Sequence, residues 1–300
     1  MEIKKLNKYL FFIYLNGDRG LEVLKSLILK DYKNLEVFID KKNTSIEDFC
    51  SKNDLVLNSN IKVNSDKHIV YVMRKNPYLS VVAGFSQIFN NKLIDLPQKG
   101  TVNLHAGPLP EYRGGSPLNW QIIEGKSKIG ISLIKMNEGI DTGEVIETKY
   151  FSLSKSQNIG DAHSIANKFF PSLVLNFLGK LNKNSVKLVK QKTRNAKYWH
   201  QRQDSDGLIR WEKMNALQVH NFVRALTNPY KGAFSYYRGK KVRILKTDII
   251  KEGFYGTPGR IIKNKNSFIV ICSDKGIKIE NYIIEGYKGT LLNGKYLTNG

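Results

Sequence analysis

The sequence predicts an α/β protein: a Rossmann-like, mostly parallel sheet followed by a smaller β-barrel (OB-like) domain at the C-terminus. Three observations carry this. Short apolar runs alternate with helical patterns through the first part of the chain. A polar stretch without periodicity, QKTRNAKYWHQRQDSDG, then breaks the pattern from Gln191 onward. Beyond it, short strand-like runs follow one another between Gly, Lys and Asn turns.

Taken in order, YLFFIYL (9–15) reads as a first buried strand, because strands covered on both faces show unbroken apolar runs. GLEVLKSLILK (20–30) places apolar residues at 21, 23, 24, 27, 28 and 29, the spacing of an amphipathic helix. NLEVFI (34–39), HIVYVM (68–73), YLSVVAGF (78–85), TVNLH (101–105) and IGISLIKM (129–136) read as further strands. A helix from Ser116 to Glu124 opens SPLNW, with serine at the cap and proline at the first helical position. A long helix over 158–180 is expected to kink at Pro171. After the aperiodic stretch, NALQVHNFVRAL (215–226) has helical spacing, and AFSYY, KVRIL, GRII, SFIVIC and IKIENYII read as the strands of the barrel. The expected division is 1–190, a linker at 191–206, and a helix plus small β domain over 207–300.

Composition sets bounds on function. The chain has 300 residues, 41% of them hydrophobic, enough to bury two cores. Its apolar runs are too short to cross a bilayer, so no membrane partner is expected. Lysines precede an apolar run in MEIKKLNK, but NGDRG follows in place of a small-residue cleavage site. Cys50 and Cys272 lie far apart and in no metal-binding spacing, which points to a cytoplasmic home with no disulfide and no metal. The formal charge of +22 invites a polyanionic partner. The basic residues are mostly scattered lysines among Asn and Ile, however, and composition bias is the preferred reading over nucleic acid. Oligomeric state stays open, a homodimer included.

The chemistry concentrates in NLHAGPLPEYRGG (103–115). Asn103 and His105 are two apart on a strand and project from one face, at the carboxyl end where open α/β sheets place ligands. An amide can donate to a developing oxyanion, and an imidazole can move a proton near neutral pH. Polar residues simply tied to a loop would look the same. In NEGIDTGEV (137–145), glycines bracket Asp141 and Thr142 just after a strand. That Asp is either a turn-stabilising residue or a carboxylate presented to the site. Amide, imidazole and carboxylate together make the set that acyl transfer requires.

NLHAGPLPEYRGGSPLNW followed by GIDTGEV resembles the signature of the folate-dependent formyltransferases, closely over 78–150. The likeness continues more loosely through DGLIRW, VRALTNPYKGAF and the terminal β domain. It implies the formyltransferase fold, a catalytic domain with a folate site over 1–190, and N10-formyltetrahydrofolate as donor. It also implies Asn103, His105 and Asp141 as the catalytic set, with Asp141 raising the pKa of His105. For the donor it implies Gln87, Ile88 and Phe89 on one wall and Asn137, Glu138, Gly139, Ile140 and Asp141 on the other. Related sugar enzymes carry a basic residue where Gly115 stands, so Arg113 is the candidate for a charge contact to the folate.

The acceptor is read from local sequence. GGSPLNW, RQDSDGLIRW and NPYKGAFSYY resemble enzymes that formylate nucleotide-linked amino sugars, precursors of surface polysaccharide such as lipopolysaccharide O-antigen. NGDRG (16–20) departs from the Gly-Thr-Pro-type turn of the tRNA enzymes. The expected function is therefore sugar N-formylation. Methionyl-tRNA formylation is the alternative, and an idle RNA-binding module the alternative of another class. Arg19 and Arg202 are candidates for the phosphates, Trp199 and Tyr230 for the base. Arg224 is read as structural, and His68, His163, His200 and His220 as ordinary surface or helix residues.

Overall fold

The computed structural model describes residues 6–265 and 267–300. The lysine-bearing start, Met1–Lys5, lies outside them. The chain divides into two compact units, one of Met1–Gly114, Gly130–Phe151 and Ser164–Tyr198, the other of Gly115–Ile129, Ser152–His163 and Trp199–Gly300. The chain crosses between units several times, and the crossing at Tyr198–Trp199 falls within the segment expected as the linker, 191–206.

The first unit is built on a seven-stranded sheet in the order β3-β2-β1-β4-β5-β7-β8. Its elements are β1 (Phe11–Leu15), α1 (Gly17–Leu29), β2 (Leu35–Phe38), α2 (Thr44–Lys52), β3 (Val56–Asn58), α3 (Asp66–Lys75), β4 (Leu79–Ala83), α4 (Asn91–Ile94), β5 (Thr101–His105) and β6 (Arg113–Gly114). After α5 (Pro117–Ile123), which belongs to the second unit, come β7 (Lys128–Lys135), β8 (Val145–Ser152), α6 (Ile159–Asn182) and β9 (Tyr198–Trp199). Strands β1 to β5 pair in parallel, and β7 runs antiparallel to β5. Every residue of β1 and β4 is buried, which is why those segments read as unbroken apolar runs. α6 passes through Pro171 without interruption.

One expected strand is a helix. HIVYVM lies in α3, where His68 and Val72, one turn apart, are buried while Val70 and Met73 are exposed. Ser65 caps it by accepting the His68 N–H, Asp66 sits in the first turn, and Arg74 and Lys75 sit in the last. Those end signals outweigh the β-branched residues. His68 is no surface residue either; its Nε2 meets the Tyr14 hydroxyl at 2.9 Å, and burial lowers its pKa to about 4.

In the second unit, α5 and α7 (Ala216–Leu226) accompany a five-stranded antiparallel sheet in the order β10-β11-β14-β13-β12. The strands are β10 (Ala233–Tyr237), β11 (Lys240–Asp248), β12 (Ile261–Asn264), β13 (Ser267–Ile271) and β14 (Gly276–Ile284). The C-terminal segment bridges Tyr236 through Thr298 and Arg260 through Tyr296, tying both ends of the sheet together into a small barrel. Inside, Trp211 is fully buried and donates its indole N–H to the Ser235 hydroxyl at 2.9 Å. Asn215 and Gln218 form a capping box on α7.

The α5 start departs from expectation. Pro117 does open the helix, but Ser116 takes a left-handed conformation and makes no cap. Its hydroxyl instead accepts the Arg202 N–H at 3.1 Å. Nearby, a side chain on Gly115 would place Cβ 2.4 Å from the Gln201 Cα, so no basic residue fits there. His220 is buried between the Thr247 hydroxyl and the Lys155 carbonyl, and Arg224, as expected, holds the Ser154 and Gln157 carbonyls.

Candidate active site

β5 lies within the sheet between β4 and β7, and its last residues carry Asn103 and His105. Asn103 pairs in register with Val82 and Ile134, and His105 with Ser132. The alternation of the strand puts both side chains on one face. The loop that follows turns back so that the Tyr112 carbonyl lies 2.5 Å from His105 Nε2. On the other side of the ring, Nδ1 is 3.4 Å from Asp141 Oδ2. Both ring nitrogens thus face acceptors, a carbonyl oxygen at Nε2 and a carboxylate oxygen at Nδ1, and each favours an N–H on its side of the ring.

Asp141 is presented by a tight loop after β7. Its φ of +52° lies in the left-handed region, which Asp tolerates better than most residues. Asn137 accepts the Thr142 hydroxyl at 2.6 Å across the loop. Gly143 is needed because a Cβ there would sit 1.7 Å from the Lys135 carbonyl oxygen. The Gly114 N–H donates to Asp141 Oδ2 at 2.9 Å, so this carboxylate is held on two sides. The three candidate catalytic residues thus lie in one unit, with imidazole and carboxylate in contact.

As the resemblance implies, Asp141 favours the charged imidazole, and so does the Tyr112 carbonyl; burial and the Arg19 cation oppose them, and the net His105 pKa is lowered. Desolvation is the larger cause. Asn103 is half-buried, and its amide makes no hydrogen bond within the chain among the described residues.

Beside the loop opens a cavity of about 660 Å³, lined by Asn91, Ile94, Asp95, Met136, Asn137, Glu138, Thr142 and Gln191 among others. Of the residues expected at the donor, Asn137 and Glu138 line this cavity, and Gln87, Ile88 and Phe89 are not among its lining residues. Phe89 is buried in the core against Tyr14 and Phe85, and the Gln87 amide is committed to Val63 and Ile61. Only Ile88 keeps an exposed side chain, and the helix just beyond it, α4, supplies the lining. The 4-residue α4 carries too little periodicity to be found from sequence. Gly139 packs on Thr142, and Ile140 is exposed.

Arg113, the candidate for a charge contact to the folate, has its partners within the chain. It is buried, its Nε and Nη2 donate to Gln191 Oε1 at 3.0 and 2.8 Å, and its Nη1 donates to the Tyr198 hydroxyl. The charge faces the protein, not open solvent. Arg19 packs its guanidinium over Phe170 at 4.5 Å and reaches the Leu104 carbonyl, close enough to act on His105. In the second unit, Arg202 and Tyr230 share a cavity of about 270 Å³ with Asn119, Asp204 and Lys231. Trp199 is not part of it; its ring stacks on Trp120 at 4.7 Å.

Residues 30–168 match the family model "Formyl transferase", and 202–294 match "Formyl transferase, C-terminal domain". The chain is 32% identical to a methionyl-tRNA formyltransferase of Clostridium botulinum over 82% of its own length and 77% of the relative's. It is 35% identical to the bifunctional polymyxin resistance protein ArnA of Wigglesworthia glossinidia brevipalpis over 72% of this chain and 33% of that protein. Among solved structures, the fold matches an N-formyltransferase from Helicobacter canadensis in complex with folinic acid and dTDP-3-aminofucose. The TM-score is 0.70 at 16% identity, covering 91% of this chain and 99% of that one. A 4-N formyltransferase from Francisella tularensis matches with a TM-score of 0.65 at 22% identity, covering 78% of this chain and 95% of that one. With this fold, both matching regions and these relatives, the chain belongs to the formyl transferase family.

Proposed function

We propose that the protein transfers a formyl group from N10-formyltetrahydrofolate to the amine of a nucleotide-linked amino sugar. The observation that carries the chemistry is the contact at 3.4 Å between Asp141 and His105, which shares its strand with Asn103. The cavity of about 660 Å³ suits a pterin-sized donor, in the range usual for small-molecule sites. Its wall at Asn137, Glu138 and Thr142 and the polar groups of Asn91 and Asp95 would hold it there.

The donor supplies an activated formyl carbon. Asn103 donates to the formyl oxygen as negative charge gathers on it during attack by the amine. His105, kept neutral by burial, accepts the amine proton, and Asp141 stabilises the resulting imidazolium. The same proton then goes to the departing folate nitrogen as the carbon–nitrogen bond to it breaks. Electrons and protons balance without an oxidant or a metal.

For the acceptor, support comes from the motifs GGSPLNW, RQDSDGLIRW and NPYKGAFSYY and from the likeness to ArnA. In the second unit, Arg202 offers a cation and Tyr230 an exposed ring on one cavity, which suits phosphate and base. The tRNA reading rests on the net charge of +22 and the identity to methionyl-tRNA formyltransferases. The deciding assay offers N10-formyltetrahydrofolate with UDP- and dTDP-linked amino sugars in one arm and methionyl-tRNA in the other. Formyl transfer to an amino sugar is the expected result; transfer to methionyl-tRNA alone overturns the acceptor, and transfer to neither overturns the activity.

A further inference from the structure

We infer that Gln191 is a positioning residue for the Asp141 loop, braced by Arg113. The inference rests on the reading of Asp141 as the group that faces His105. Gln191 Nε2 donates to the carbonyls of both Asp141, at 2.8 Å, and Gly143, at 2.7 Å. One amide group thereby ties together the two ends of the turn that sets the carboxylate. Its oxygen is held by two N–H groups of the buried Arg113. With its oxygen so fixed, the planar amide can only turn its NH2 toward the loop.

The brace is itself anchored. Arg113 donates to the Tyr198 hydroxyl at 2.9 Å and lies over that ring at 5.2 Å. The Arg113 N–H donates to the Lys197 carbonyl, and Lys197 N–H to the Pro110 carbonyl. Val189 pairs with Val145 through both backbone hydrogen bonds, delivering Gln191 beside the loop. Arg113 is next in chain to Gly114, whose N–H holds Asp141 Oδ2. The carbonyl of Asp141 is therefore held by Gln191 and its carboxylate by Gly114, with Arg113 joining the two holders. A left-handed Asp needs such support, since its conformation is not the one the chain would choose alone.

Gln191→Glu separates this role from bulk structure. It keeps an oxygen for Arg113 but sets a second oxygen against two carbonyl oxygens, releasing the loop. Gln191→Ala removes the contact outright. The readout is the titration of His105 followed by NMR of 15N-labelled histidine in the full chain, the His105 signals being assigned by their loss in His105→Gln. Asp141 raises the His105 pKa, so a displaced Asp141 lowers the midpoint in Gln191→Glu as it does in Asp141→Asn. Turnover with the acceptor identified by that assay is expected to fall about a hundredfold in kcat, whatever change in donor KM accompanies it. The double variant Gln191→Glu/Asp141→Asn is expected to be no slower than Asp141→Asn alone.

A folded Gln191→Glu protein whose His105 titrates as in wild type, while Asp141→Asn shifts it, overturns the inference. So does a loss confined to donor KM, which would make Gln191 a donor contact. If Asp141→Asn itself leaves titration and turnover unchanged, the reading of Asp141 has failed first. Should neither Gln191 variant fold, Arg113→Met frees the amide to rotate and must produce the same downward shift.

Discussion

One oxygen of Asp141 accepts the Gly114 N–H at 2.9 Å and stands 3.4 Å from His105 Nδ1. Two segments remote in sequence thus meet at a single atom. The arrangement keeps the carboxylate from swinging away from the imidazole, and it makes the chemistry of the pair open to direct test.

The first expectation concerns the pair itself. On the proposed mechanism, His105→Gln and Asp141→Asn each lower kcat by about two to four powers of ten, the usual worth of acid–base assistance. Circular dichroism should show both variants folded. A folded His105→Gln enzyme with near-normal turnover would remove His105 from the chemistry.

The pH profile follows from the direction of the His105 shift. Burial holds its pKa below the ordinary imidazole value, so the base stays neutral into mildly acid solution, and the acid limb of kcat should fall below pH 6.5. The Arg19 cation contributes to that lowering. Arg19→Met should therefore move the limb up in pH, read from kcat measured across pH 4–8 on the wild type and the variant. A limb that moves down would show that Arg19 acts otherwise.

Stability has its own pH signature at His68. Its pKa falls from 6.5 to about 4 on folding. Between those values the unfolded chain binds a proton that the native chain does not. Stability is thus full above pH 6.5 and is lost as the pH drops toward 4. His68→Phe cannot take up that proton and should flatten the decline in Tm over this range.

Gly143 is expected to resist substitution. A Cβ would lie 1.7 Å from a backbone oxygen that cannot yield as a side chain end does. Gly143→Ala should cost about 1–3 kcal/mol in urea unfolding and lower turnover through the displaced Asp141 loop.

The acceptor site gives a separate outcome. Arg202→Ala is expected to raise the KM of the nucleotide sugar about tenfold or more, as loss of a charged hydrogen bond would. The donor KM should not change. Equal effects on both substrates would count against a role in acceptor binding.

Much of this was legible in sequence because it is local. Strand β5, the Asn103–His105 spacing and the glycine-bracketed Asp141 all depend on neighbours within a few residues, as do the strands of the C-terminal barrel. Local patterns also misled. HIVYVM has the composition of a strand, and only the Ser65 cap and the exposure of Val70 and Met73 mark it as helix α3. Ser116 looks like a cap but spends its hydroxyl on Arg202.

By itself, the sequence determined the α/β class, the family, and which polar groups could do chemistry, since motif and periodicity are written along the chain. Tertiary structure alone decided which of those groups meet and what charge they carry. Phe89 and Arg113 had side chains fit for a ligand, yet one fills the core and the other grips Gln191. The pKa of His105 depends on how much water its surroundings exclude, and Gln191 sits in an aperiodic polar run with no signal of its own. Burial and long-range hydrogen bonds are sums over residues distant in sequence, so they exist only once the chain has folded.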